Sequence, residues 1–191
     1  HFELRGTGRS YILILKEFML GLQRGKVKLK AHNKQWSKAF LREKKRILKV
    51  SGDIIVDIQH IGSTAVPSII AKPIIDMSAG VQSIKDAVKL TKTLSKLGYN
   101  FYRKSKTQIF FAKGPEKRRT FYLHVMKHNG QKWRNDILFR NYLLKHPNWA
   151  WEYEIIKKKL ANLYPNNRDV YTNHKANFIK KTLRLAKHKQ K

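Results

Sequence analysis

Apolar positions along this chain change their spacing several times, and each change marks a change of element. From Asn33 onward, Trp36, Phe40, Ile47 and Leu48 form one apolar stripe, with Lys38, Arg42, Lys44, Lys45 and Arg46 on the other side. The stripe predicts an amphipathic helix capped by Asn33 and ended by Ser51-Gly52. Residues 27–31, just before it, read as a short strand. Residues 54–60 are β-branched and turn toward alternation, the pattern of a buried strand. Gly62-Ser63-Thr64 then turns the chain into a short helical segment that Pro67 and Pro73 confine. Residues 74–81 form the neighbouring strand. Its period of two puts Asp76 and Ser78 on one face, Ile75 and Met77 on the other.

Ser83 caps the next expected helix, with Ile84, Ala87, Val88, Leu94 and Leu97 inward and Gly98 as its stop. Strands follow near 99–104, 108–113 and 120–126, the last entered through Gly114-Pro115. After Gly130 the pattern stays helical, over 132–145, 148–164 and 169–187, interrupted at Pro147 and at Pro165-Asn166-Asn167. Trp133, Trp149 and Trp151 lie at helical spacings and are expected in the core. The order predicts an α/β (α+β) protein: an α/β half to about residue 130 and a helical half after it. Residues 19–191 read as a single domain. Residues 1–18 look different and are expected to lie upstream of a start at Met19.

Composition narrows the function classes. At 191 residues with 41% hydrophobic and 11% aromatic content, the chain is long enough for a real core and unlike a disordered one. It has no cysteine, which excludes disulfides, thiolate chemistry and cysteine–zinc sites and is compatible with a cytoplasmic setting. The longest early apolar run, residues 11–15, is far below the roughly 20 residues of a spanning helix. No membrane partner is expected.

Charge changes the picture more. Forty-two Lys and Arg face 12 Asp and Glu, a net charge of +30. An AT-rich coding bias would raise Lys, Asn and Ile, but also Glu, and Glu occurs only six times. Such a field favours polyanionic partners, RNA among them, although a solvated basic face without a dedicated partner gives the same count.

Against that background the chemistry concentrates in two short runs, His60 to Pro67 and Lys72 to Met77. Small residues at Gly62-Ser63-Thr64 let backbone N–H groups close on a phosphate. Asp76 is an acid in the middle of an apolar strand, where Asp is depleted and rarely buried unless paired or metal-bound. It holds a divalent cation, Mg²⁺ or Mn²⁺, or it pairs with a nearby Lys. His60 either orients the turn or transfers a proton. Lys72, restrained by Pro73, is a candidate phosphate ligand, and Lys117-Arg118-Arg119 is an unspecific phosphate-contact patch.

These runs resemble the signature of the GrpB-like family (uncharacterised protein family 0157). The resemblance continues through Asn33 and Trp36, Leu123-His124-Val125, residues 139–143, His146-Pro147, Tyr153, Tyr171, Lys175, Phe178 and Ile179, covering the chain from about Met19 to its end. It implies a nucleotidyltransferase-like fold, a mixed sheet flanked by helices. Members occur alone or fused to dephospho-coenzyme A kinase, with poorly defined activity. That fold's usual device is a Gly-Ser turn, two carboxylates spaced by one residue on a strand and a third on a later strand, together holding Mg²⁺. Here Asp76 fills the first position, Ser78 stands at the second, and the later strand offers Tyr122, His124 and Met126. Asp76, Ser78 and His124 are therefore the expected metal ligands, with His124 better suited to Zn²⁺ or Mn²⁺ or else a core histidine. Arg140 and Lys175 become candidate phosphate ligands through their match to family positions. Tyr171 stacks on a base or simply packs.

Two readings follow. In one, the protein is an enzyme that moves a nucleotidyl group to a hydroxyl acceptor. Ser63 and Asp76 are then catalytic, and His60, Gly62, Ser63, Thr64, Lys72, Arg140, Tyr171 and Lys175 hold the substrate. In the other, the same fold binds a nucleotide, a coenzyme A-like ligand or RNA without turnover. The expected partner is a nucleotide or another phosphorylated small molecule, with RNA on the basic surface.

Overall fold

A computed structural model describes residues 20–188. The expectations for residues 1–18 and for a start at Met19 lie outside the described residues.

Helix α1, Gln35–Ser51, opens with the Asn33 side chain accepting the Gln35 N–H at 2.8 Å and closes at Gly52, whose φ is +53°. It buries Trp36, Phe40 and Ile47, the apolar stripe of the sequence, while its lysines and arginines face out. Five strands follow: β1 Ile55–Ile61, β2 Ile75–Val81, β3 Tyr99–Lys104, β4 Gln108–Lys113 and β5 Phe121–Lys127. Between β2 and β3 lies helix α2, Leu90–Ser95, preceded by a 3₁₀ turn over Asp86–Lys89. The helical half holds α3 Gln131–Lys145, α4 Pro147–Leu163, α5 Arg168–His174 and α6 Ala176–His188.

The strands form one mixed sheet in the order β1-β2-β5-β4-β3, in which only the β2–β5 pair is parallel. This is the mixed sheet flanked by helices that the nucleotidyltransferase-like reading expects. Ile75, Met77, Leu123, Val125, Ile109 and Phe111 point to one face and are buried there against α1 and Leu90 and Leu94 of α2. A buried Glu43–Lys113 ion pair at 2.6 Å ties α1 to β4 on this side. The opposite face carries Asp76, Ser78, Tyr122, His124 and Phe110 and meets the C-terminal helices. There Val66 and Ile69 pack with Phe139, Leu143, Tyr153 and Phe178.

Four local expectations are corrected. Residues 27–31 make only an isolated bridge, Lys30 with Ala71, because Val27 is drawn instead to the Pro165 carbonyl. The last helix is two, broken at Lys175, where the chain turns a side chain inward. Val88 and Trp151 are exposed, at 46% and 63%, since helical spacing fixes which residues share a face but not where that face points.

Candidate functional site

The site begins with a turn that only glycine accommodates. Gly62 has φ +68°, and a Cβ there would meet Asp76 Oδ2 at 3.0 Å. The turn therefore closes directly onto Asp76, its cross-strand neighbour region on β2, where Asp76 pairs with Ile61. Ser63–Ala65 then form one 3₁₀ turn. His60 holds this turn in place: its Nε2 lies 2.9 Å from Thr64 Oγ1, and its ring stacks on Phe40 at 4.8 Å. Burial pulls the His60 imidazole down to about 4, and Arg140 adds to the effect against the carboxylate of Asp76. His60 is thus neutral near pH 7 and positions the turn.

Arg140 also stands behind the turn. It donates to the His60 carbonyl at 2.8 Å and to Gln59 Oε1 at 3.0 Å, and it lines no cavity described below. In this structure Arg140 braces the end of β1.

In front of the turn lies a cavity of about 310 Å³, walled by the Gly62-Ser63-Thr64 turn, Asp76, His124 and residues of α3 to α6. Four lysines line it: Lys132, paired with Asp136 at 3.5 Å, and three others, Lys72, Lys157 and Lys175. Lys157, from α4, is 1% exposed, yet its Nζ donates to Ser63 Oγ at 3.3 Å and to the Ile70 carbonyl. Lys72 and Lys175 sit over the ring of buried Tyr171, at 5.1 and 4.2 Å from its centroid. Among the described residues none of the three has an ion pair with a carboxylate within 4.0 Å. Burial and mutual repulsion lower their affinity for protons. Lys157 is drawn to about 7 by burial and by Lys175. Lys175 falls to about 8, through burial against the attraction of Asp76. Lys72 falls well below its ordinary value, for burial and then for Lys175 and Arg168. For the Asp76 carboxyl, burial pushes upward, but His124 and the charges of Lys72 and Lys175 outweigh it and leave the group below its usual range.

The structure thus brings Gly62, Ser63, Thr64, Lys72, Asp76, His124, Tyr171 and Lys175 around one hollow and leaves His60, Ser78 and Arg140 off its wall. Tyr171 is 1% exposed and packs, its ring covered by the two lysines. Sequence reasoning missed Lys157 and Asp136, and named Tyr153 only as a match to the family pattern, with no role at the site. Tyr153 and Lys157 are one helical turn apart on α4 and both reach Ser63, the tyrosine through its hydroxyl. Asp136, from α3, accepts the Ser78 hydroxyl at 2.9 Å and lines the cavity.

A resident divalent cation does not suit this donor set. Asp76 Oδ1 is 3.7 Å from His124 Nε2, while His124 Nδ1 lies 2.8 Å from Gln108 Nε2. Ser78 is fully buried and engaged with Asp136, which corrects its expected place as a ligand. Among the described residues no group of three or more His, Asp or Glu gathers as a metal site. Mg²⁺ is usually held by one or two carboxylates with substrate phosphates and waters, whereas here Asp76 stands among Lys72, Lys157 and Lys175, and Asp136 is engaged with Ser78 and Lys132. Also among the described residues, no helix is long and apolar enough to cross a membrane.

A family model described as GrpB protein matches residues 26–185. The glutamate-rich protein GrpB of Alkalihalophilus pseudofirmus is 40% identical over 173 residues, covering 86% of this chain and 98% of that one. The UPF0157 protein YqkA of Bacillus subtilis is 37% identical over 92% of this chain, which spans about half (51%) of YqkA. A crystal structure of the conserved protein GrpB from Enterococcus faecalis superposes with a TM-score of 0.78 at 31% identity, covering 85% of this chain and 99% of that one. Cid1 poly(U) polymerase aligns at a TM-score of only 0.46 and 11% identity, over 84% of this chain and 48% of that one, a likeness that carries nothing about this chain's chemistry.

Proposed function

The chain belongs to the GrpB family, and from that footing we propose that it captures a nucleotide or a related phosphorylated small molecule in the cavity before the Gly62-Ser63-Thr64 turn. The observation that carries this reading is the convergence of Lys72, Lys157 and Lys175 on a hollow whose wall, among the described residues, holds two carboxylates, Asp76 and Asp136, the latter already paired with Lys132. Crowding three lysine amines, Lys157 buried and Lys72 and Lys175 half-buried, disfavours their charged forms in the empty protein, and an anion seated among them removes that penalty. The turn adds backbone N–H groups and the Ser63 hydroxyl, and Lys157 already lies against that hydroxyl. Asp76 then sets a limit on how much negative charge the site accepts and orients the ligand away from itself.

Nucleotidyl transfer, the narrower form of this reading, requires carboxylates sharing a cation, and the donor set does not provide them. Capture of the ligand is the function the geometry supports. Isothermal titration with ATP, UTP and coenzyme A, in EDTA and at low salt, tests it. At least one phosphorylated ligand should bind without added metal, and Lys157→Met should weaken it at least tenfold. Failure of every such ligand to bind, or equal binding by the variant, overturns the proposal.

A further inference from the structure

Asp76 lies where two cavities meet. Beyond it, toward β3, the same sheet face opens into a larger hollow of about 840 Å³ that shares Lys72, Asp76, His124 and Lys175 with the smaller one. Helix α3 packs against β1, β2 and β5 on this face. The part over β4 and β3 is lined instead by a row of aromatic rings. Tyr122 lies beside Phe110 at 5.1 Å, and Phe110 beside Tyr102 at 5.7 Å, so the row crosses three adjacent strands. Arginines surround it. Arg103, exposed, lies over the Phe110 ring at 5.6 Å; Arg24 and the buried Arg119 lie over Tyr102 at 4.8 and 5.6 Å but are ion-paired with Glu116, which leaves Arg103 and Arg168 as the guanidinium charges available to a backbone. Arg168 is fixed by the Gln23 and Lys26 carbonyls, which hold its guanidinium in place without cancelling its charge. The Tyr102 hydroxyl is buried with no hydrogen-bond partner, although it belongs to a residue lining this hollow. A buried hydroxyl without a partner is rare in native proteins and leaves room for a water, an ion or a ligand group to supply it.

We infer that this aromatic and arginine-lined sheet face is a binding site for single-stranded nucleic acid, with bases stacked along Tyr102 and Phe110 and phosphates on Arg103 and its neighbours. The site adjoins the small-ligand cavity and shares Lys72, Asp76, His124 and Lys175 with it, while Tyr102, Arg103 and Phe110 belong to the larger hollow alone. A row of half-buried rings along the wall of this hollow offers stacking to any base, and guanidinium groups beside the rings suit the backbone between bases. A duplex keeps its bases stacked inside and gains nothing from the row. The charge of +30 accounts for attraction to any polyanion, so stacking is what distinguishes this face from the rest of the surface.

Fluorescence anisotropy with labelled 12-nucleotide oligouridylate, oligothymidylate and a 12-base-pair RNA duplex, across a salt series, tests the inference. Phe110→Leu keeps the charge and should weaken both single strands by about tenfold, within the range expected for one lost stacking contact. It should leave the duplex and the salt slope unchanged. Arg103→Ala should lower the single-strand salt slope by about one. On the unaltered protein, 4-thiouridine cross-links should map to residues 99–113, which keeps the test independent of how the variants fold. Equal binding of duplex and single strands with no effect of Phe110→Leu, or cross-links confined to the helical half, would mean electrostatic adhesion only and overturn the inference. Phe110 lies outside the smaller cavity, so nucleotide titration of Phe110→Leu reports on the small-ligand reading separately.

Discussion

Replacing Lys157 by Met should make the protein more stable and less able to bind, a combination expected of a residue kept for function against its effect on folding. In the folded protein the Lys157 ammonium is drawn from its ordinary 10.5 to about 7. At about 1.4 kcal/mol for each factor of ten, this corresponds to roughly 4 kcal/mol of destabilisation at neutral pH. Methionine fills a similar volume without a charge, but it leaves Ser63 Oγ and the Ile70 carbonyl without their donor, a loss of about 1–3 kcal/mol. The expected net gain is about 1–3 kcal/mol, or a few degrees in Tm for a chain of this size. The pH dependence carries a definite sign. Between about 7 and 10.5 the unfolded chain holds a proton at Lys157 that the folded chain has released, so wild-type stability rises with pH through that window. Below it the destabilisation is fully present; above it the destabilisation is gone, and the advantage of Lys157→Met shrinks with it. Urea unfolding of both proteins at pH 7 and pH 9.5, with m-values compared, measures this directly. A variant less stable than wild type at pH 7, or a difference that does not shrink at pH 9.5, would refute the reasoning.

Gly62→Ala should lose about 1–3 kcal/mol of stability, because it forces a side chain into positive φ and sets a Cβ at 3.0 Å from Asp76 Oδ2; urea unfolding reads the loss. The same variant should bind phosphorylated ligands less well, since opening the turn moves Ser63. Arg140→Ala removes the donor to the His60 carbonyl and Gln59, so its effect falls on stability, about 1–3 kcal/mol by the same assay. Ligand affinity should fall with rising pH between 7 and 9 as Lys157 and Lys175, near 7 and 8 in the empty protein, give up their protons; titration calorimetry at several pH values follows this.

Much of the fold was legible because local pattern and tertiary role agree. The strands read at residues 99–104 and 108–113 match β3 and β4, where Tyr99, Ile109 and Phe111 enter the core. The Gly62-Ser63 turn and Asp76 were legible as a pair because a small-residue turn and a strand acid are each conspicuous against apolar neighbours. Other features are fixed by contacts distant in sequence. The break at Lys175 carries no glycine or proline, and it forms where Lys175 turns over Tyr171. Lys157 sits in a run of three lysines, and only the packing of α4 against the turn separates it from Lys158 and Lys159. Asp136 lies 58 residues from Ser78, and no spacing rule links a strand serine to a helix acid at that separation. Arg140 shows the reverse case. Its match to a family position was legible, but its hydrogen bonds make it a brace for the turn.

Calorimetric titration of wild type and Asp76→Asn with one phosphorylated ligand, with EDTA and then with excess Mg²⁺, tests the anion-capture account most directly. Removing the Asp76 carboxylate leaves the three lysines with less negative charge beside them, so the account predicts metal-free binding that is retained or tighter in the variant. Binding that appears only with Mg²⁺ and disappears in Asp76→Asn would contradict it.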